Sequence, residues 1–83
     1  MKALYFAWVR ERIGLSEEEI APPGEVVTVR QLIEWLSRRG DGYAAAFANP
    51  ATIRAAVDKR HAAADAPIGA AREVAFFPPM TGG

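Results

Sequence analysis

The sequence contains no cysteine and one histidine, and both shortages exclude whole classes of chemistry. Without cysteine there is no disulfide, no thiolate metal site and no cysteine nucleophile, which agrees with a reducing compartment. A single histidine cannot form a histidine metal cluster. Because His61 lies among small and polar residues, we expect it on the surface and expect no metal site.

Net charge and long apolar runs are also absent. Ten Lys and Arg balance ten Asp and Glu, and no basic run would attract nucleic acid or a membrane surface. No apolar run approaches the roughly 18 residues that span a bilayer. Residues 1–13 lack the order of segments that marks a signal peptide. We expect a cytoplasmic protein that binds neither nucleic acid nor membranes.

What is present fits one small folded domain. The 83 residues are 51% hydrophobic and 24% charged, which is an ordinary globular composition and too short a chain for two domains. We expect the domain to span residues 1–79 and a flexible tail to span residues 80–83, where few apolar side chains could anchor it.

Hydrophobic patterns predict strands around one main helix. The helix has Thr28 as its N-cap, Gln31 as its capping-box partner and Gly40 as its left-handed end. Strands are predicted at 2–9, 17–21, 53–59 and 73–77, with a short helix at 43–48, a helical turn or loop at 10–14 and an ambiguous stretch at 62–71. This order predicts an α+β layer in which one main helix covers a mixed sheet.

The first predicted strand is apolar on both faces, which favours the middle of the sheet. Leu4, Phe6 and Trp8 would share one face. If the first and last strands are neighbours, Phe6 and Phe77 form an apolar patch at the root of the tail, and such patches often mark partner sites. The alternative is that both rings are buried.

Catalytic signals are few. The acidic run Glu17, Glu18, Glu19 is more typical of a solvated face than of an acid and base pair, and no phosphate-binding glycine pattern occurs. We therefore predict no catalytic site in this chain.

The C-terminal pair Gly82 and Gly83 is the clearest functional signal. Glycine has no Cβ, so such an end threads a channel too narrow for side chains. Its carboxylate, once adenylated with ATP, becomes an acyl donor that accepts sulfide or acylates an amine. Since the sequence has no ATP motif, a separate enzyme would use the ATP. The extended segment from Pro78 to Gly83 spans about 20 Å, and simple fraying is the other interpretation.

Four segments resemble one family, the small subunits of molybdopterin synthase. The ending EVAFFPPMTGG at 73–83 resembles the family's tail, and LYFAWVRERIG at 4–14 resembles its first strand and following turn. TVRQL at 28–32 and AAVD at 55–58 fall where the family has its helix and third strand. The resemblance extends over the whole chain and implies a β-grasp, ubiquitin-like fold.

The resemblance also implies a function. A ubiquitin-activating-type adenylyltransferase would adenylate and thiocarboxylate Gly83, and the tail would donate sulfur to cyclic pyranopterin monophosphate inside the large synthase subunit, in a heterotetramer. Gly82 and Thr81 would thread the channel. The residues that would contact partners are Phe6, Arg10, Phe77, Pro78, Pro79 and Met80.

Two positions depart from the family pattern, and other functions remain open. Asp58 stands where the family more often has Asn, and His61 stands near a position where the family has an apolar or aromatic residue. If His61 lies in the partner interface, that contact is more polar here. The alternatives are a sulfur carrier for thiamine or cysteine synthesis, a ubiquitin-like protein modifier, and an interaction module in which Phe6 and Phe77 matter but Gly83 does not.

Overall fold

A computed structural model describes residues 1–79, which form five strands and three α-helices. In chain order the elements are β1 (Lys2–Tyr5), α1 (Ala7–Ile13), β2 (Glu17–Glu19), α2 (Val29–Ser37), α3 (Asp41–Ala46), a 3₁₀ turn (Pro50–Thr52), β3 (Arg54–Val57), β4 (Arg60–Ala62) and β5 (Glu73–Phe77). Met80, Thr81, Gly82 and Gly83 lie outside the described residues, so the division into 1–79 and 80–83 stays a prediction.

The five strands form one mixed sheet in the order β2-β1-β5-β3-β4. The first and last strands, β1 and β5, are parallel neighbours, and the other pairs are antiparallel. The central position expected for β1 is therefore confirmed. So is the α+β arrangement, because the helices pack on one face of this sheet and bury a common core.

Helix α2 begins as the sequence predicts. The Thr28 hydroxyl accepts from the Gln31 amide, and the Gln31 side chain accepts from the Thr28 amide, both at 3.2 Å. The apolar stripe of α2 is buried: Val29, Leu32, Ile33 and Leu36. The predicted left-handed end at Gly40 is wrong, because Gly40 is extended. The helix instead closes with the Arg39 amide donating to the carbonyl of Leu36.

The first strand is shorter than predicted. It ends at Tyr5, and after the extended residue Phe6 the chain turns at Ala7 into helix α1, which ends at the left-handed Gly14. In the structure α1 buries Val9 completely and packs against α3, where the Arg12 carbonyl approaches Gly42 closely. Trp8 consequently does not share a strand face with Leu4 and Phe6.

The ambiguous stretch 62–71 contributes only its first residue to a strand. Strands β3 and β4 form a hairpin around Asp58 and Lys59, which both have positive φ, of 48° and 71°. Such turns usually carry Asn-Gly, and the pair Asp58-Lys59 does not indicate a hairpin, so a single strand is predicted at 53–59 instead. One Asp58 carboxylate oxygen accepts from the amides of Arg72 and Glu73 at 2.9 and 3.1 Å, which ties the turn to the start of β5.

The acidic run in β2 is only partly a solvated face. Antiparallel register sets Glu18 opposite Ala3 on the helix-covered face, whereas Glu17 and Glu19 lie on the other face. One Glu18 oxygen accepts from the hydroxyls of Tyr5 and Tyr43 at 2.8 and 2.6 Å, and the other lies 3.3 Å from the Arg39 guanidinium. Burial raises the pKa of both tyrosines, and the hydrogen bond to Glu18 adds to the rise.

We expect Glu18→Ala to lower the free energy of unfolding by about 2 kcal/mol, because it leaves two tyrosine hydroxyls and a guanidinium without their shared acceptor. The measurement is urea denaturation followed by circular dichroism. Glu17→Ala is the control and should change stability by less than about 0.5 kcal/mol, since the Glu17 side chain is 52% exposed. Equal losses for the two variants would contradict the bridging role.

Candidate partner-binding surface

The sheet face opposite the helices, which we call the open face, carries the side chains nearest to the start of the tail. Along β5 the buried residues Val74 and Phe76 alternate with Ala75 and Phe77. The cross-strand register puts the following residues on the same face as Phe77: Leu4 on β1, Arg54 and Ala56 on β3, and His61 on β4. The open face is therefore apolar at its centre.

Phe6 and Phe77 are neighbours at one end of the open face. Tyr5 pairs with Phe76, and the Phe6 amide then donates to the Phe76 carbonyl at 3.1 Å, so the parallel register continues to Phe6 and Phe77. Phe6 is 48% exposed and Phe77 is half-buried. Burial of both rings is thereby excluded, while their contact with a partner stays a prediction.

Leu15 extends this apolar patch, although the sequence does not predict it as a contact residue. The Tyr5 amide donates to the Ser16 carbonyl at 2.8 Å, so the antiparallel register of β1 and β2 continues to Phe6 opposite Leu15. Leu15 is 43% exposed. A single leucine after Gly14 belongs to no helical or strand pattern, and only the register reveals its neighbours. We call Leu15, Phe6 and Phe77 the apolar band.

Polar groups flank the band beside Phe77. The His61 ring stands edge-on to Phe77 with 5.5 Å between ring centroids, and His61 is exposed, as the sequence predicts. Arg54 is the cross-strand partner of Phe77, and one of its guanidinium nitrogens donates to the Ala51 carbonyl at 3.3 Å. Interfaces commonly combine such an aromatic centre with a polar rim.

The remaining predicted contact residues lie at the margins of this surface. Arg10 is exposed on α1, one helical turn after Phe6, whose carbonyl accepts from the Arg10 amide at 3.3 Å. Pro78 and Pro79 are half-buried directly after β5. The predicted tail residues Met80, Thr81, Gly82 and Gly83 fall outside the described part of the chain, and their roles stay predictions.

Ala7 is a strained joint beside the apolar band. Its φ of 52° lies in the left-handed region, which costs a residue with a Cβ about 1–2 kcal/mol. The joint ends the strand immediately after Phe6 and starts α1. Strain of this kind is often found at functional sites, and here it leaves the Phe6 ring at the end of a rigid strand.

We expect Ala7→Gly to raise the free energy of unfolding by about 0.5 to 1 kcal/mol, since glycine removes the strain at some cost in chain entropy. Ala45→Gly is the control, an exposed position inside α3 where φ is negative, and it should lower stability by about 1 kcal/mol. Chemical denaturation of both variants measures the two signs, and a loss at Ala7 would refute the strain.

Residues 1–79 contain neither a metal-binding cluster nor a helix that could span a membrane. No group of three or more His, Asp or Glu side chains in this range is arranged to hold a metal ion. None of its helices has the length and apolarity needed to cross a membrane.

Comparison with known proteins gives full-length matches. The ThiS family model matches residues 3–83. The molybdopterin synthase sulfur carrier subunit of Escherichia coli is 37% identical over 83 residues, covering 100% of this chain and 99% of that protein. The protein of the same name from Haemophilus influenzae is 30% identical with the same coverage.

Two solved structures share the fold over nearly the whole chain. A putative molybdopterin converting factor, subunit 1, from Pyrococcus furiosus has a TM-score of 0.72 and 31% identity over 95% of both chains. SAMP1 from Haloferax volcanii also has a TM-score of 0.72, with 24% identity over 100% of this chain and 98% of that chain, a likeness of fold alone. These neighbours confirm the ubiquitin-like β-grasp fold.

Proposed function

Because this chain belongs to the ThiS family, we propose that it is the sulfur-carrier small subunit of a molybdopterin synthase. The observation that carries the proposal is the end-to-end match, at 37% identity, to a relative named molybdopterin synthase sulfur carrier subunit. A second relative of that name agrees over the same span.

The proposed chemistry uses the terminal carboxylate of Gly83. An adenylyltransferase of the ubiquitin-activating type joins this carboxylate to AMP and releases pyrophosphate from ATP. A sulfur donor then displaces AMP and leaves a thiocarboxylate, whose sulfur passes to cyclic pyranopterin monophosphate in the large subunit. Covalent carriage of this kind divides one difficult transfer into separate steps. This chain supplies the carrier atoms, and its partners supply ATP binding and catalysis.

The open face supports the same proposal. Phe6 lies beside Phe77, and Pro78 and Pro79 follow Phe77 in the chain. A partner that binds the apolar band therefore also contacts the start of the tail. Exposed aromatic side chains of this kind often anchor interfaces. The band is thus suited to hold the domain outside a partner while residues 80–83 reach the reacting centre.

Mass spectrometry tests the proposal. After incubation with an activating enzyme, ATP and a sulfur source, the C-terminal peptide should gain about 16 Da as sulfur replaces one oxygen. The reaction without ATP is the control and should leave the mass unchanged. Higher-mass conjugates on lysines that resist reductants would favour a protein modifier, and a thiocarboxylate that fails to support molybdopterin formation would favour another sulfur pathway.

A further inference from the structure

Charged side chains of opposite sign lie at opposite ends of the open face. Its acidic corner consists of Glu17 and Glu19 on the edge strand β2 and Glu73 at the start of β5. Two of these carboxylates already have partners, because Glu17 lies 3.1 Å from the Lys2 ammonium and Glu19 lies 2.7 Å from the N-terminal amine. Glu19 and Glu73 lie in the row of Lys2, at the opposite end of the strands from Phe77, and Glu17 lies in the row of Ala75.

The opposite end of the open face, beside the start of the tail, carries the positive charge of Arg54. Arg54 is exposed there and forms no ion pair with any carboxylate of residues 1–79. Asp58 is not its partner, since it lies in the turn at the other end of β3 and accepts from the amides of Arg72 and Glu73. The contact with the Ala51 carbonyl occupies one guanidinium nitrogen, which leaves other donors for a partner.

We propose that the partner that receives the tail has an acidic rim, and that a carboxylate of this rim pairs with Arg54 when the partner covers the apolar band. This inference rests on the proposed function, because it describes the surface of the large subunit that accepts Gly83. The partner is a protein whose contacting surface is both apolar and acidic. A partner surface that is neutral or basic around Arg54 would contradict the proposal.

Loss of water around the Arg54 guanidinium favours a carboxylate on the partner. A surface that covers Phe77 also removes water from its cross-strand partner Arg54. A guanidinium that loses water without gaining a counter-charge is costly, whereas a carboxylate forms charge-assisted and often paired hydrogen bonds with it. The edge-on His61 ring adds a hydrogen-bonding group next to the same spot.

The charge division also determines how the partner is oriented. In the proposed arrangement the acidic rim faces Arg54 and stays away from Glu17 and Glu19. A partner turned by half a revolution in the plane of the sheet would leave Arg54 without a counter-charge and would set its acidic groups against Glu73 and the already paired Glu17 and Glu19, which opposes binding. The correct orientation is the one that points the tail into the partner.

The test is calorimetric titration of the large subunit of molybdopterin synthase with this chain and two charge reversals. Arg54→Glu should weaken binding roughly tenfold or more at about 50 mM salt. Arg38→Glu is the matched control, because it changes the net charge equally but lies exposed at the end of α2, on the other side of the sheet. It should stay within about twofold.

Salt provides a second readout. Wild-type affinity should fall between about 50 and about 500 mM salt, and Arg54→Glu should remove most of that dependence. Arg54→Gln, which loses the charge without adding a negative one, should lie between wild type and Arg54→Glu. Circular dichroism establishes that each variant is folded.

The outcomes separate this inference from the proposed function. Thiocarboxylate formation at Gly83 is measured on the same samples. If wild type gains no sulfur, the proposed function fails, and this inference falls with it. If sulfur is gained but Arg54→Glu binds the large subunit as tightly as Arg38→Glu at both salt concentrations, the acidic rim is refuted and the carrier function stands.

Discussion

Deletion of Gly83 is expected to reduce sulfur transfer to the background without this chain, while the midpoint of thermal unfolding stays within about 2 °C of wild type. The reason is chemical, because the proposed carrier atom belongs to the terminal carboxylate and a shortened tail presents it one residue, about 3.4 Å, too early. The stability of the fold should be unchanged, since the buried core residues lie between Ala3 and Phe76. Transfer is measured as molybdopterin formed from cyclic pyranopterin monophosphate with the large subunit.

Gly24→Ala is the control for this experiment. A Cβ at Gly24 would meet nothing within 4 Å, so this variant should transfer sulfur like wild type. Retained transfer after deletion of Gly83 would rule out the carrier role of the terminal group. A lowered unfolding midpoint would instead assign the last residue to the fold.

Gly42→Ala is expected to lower the free energy of unfolding by about 2 to 3 kcal/mol. A Cβ at Gly42 would lie 2.5 Å from the carbonyl oxygen of Arg12 and 3.4 Å from the Cα of Ile13. Both are backbone atoms of α1, so no side-chain rotation relieves the clash, and α1 must move away from α3. The corresponding fall in the thermal midpoint is about 10 to 20 °C for a domain of this size.

The same Gly24→Ala variant serves as the stability control, with an expected change of less than about 0.5 kcal/mol. Thermal unfolding followed by circular dichroism measures both variants. A Gly42→Ala midpoint equal to that of Gly24→Ala would mean that the two helices do not approach as closely as described. Because α1 starts immediately after Phe6, a displaced α1 should also weaken binding to the large subunit.

Local rules explain which elements could be predicted. The capping box of Thr28 and Gln31 and the buried stripe of α2 depend on neighbours in sequence, and both are confirmed. The boundary of β1 could not be read this way, since aromatic and β-branched residues continue past Tyr5 in a pattern that suits a strand. Packing of α1 against α3, which no local pattern shows, accompanies the helix.

Only part of the candidate surface could likewise be predicted from the sequence. The apolar patch of Phe6 and Phe77 is predicted from the sequence on the condition that the first and last strands are neighbours, and the sheet meets this condition. Leu15 and Arg54 were not predicted, since each joins Phe6 or Phe77 only through cross-strand register. The role of Glu18 was also hidden, because a one-residue difference in register decides which of three adjacent glutamates faces the core.

By itself, the sequence determined the main helix, the central first strand and the Gly-Gly end, because these depend on side-chain periodicity, capping chemistry and terminal composition. Tertiary structure alone decided where β1 gives way to α1, which glutamate is buried, and which side chains surround Phe77. The physical reason is that strand pairing and helix packing join residues far apart in the chain, and their register is set by the total burial they achieve.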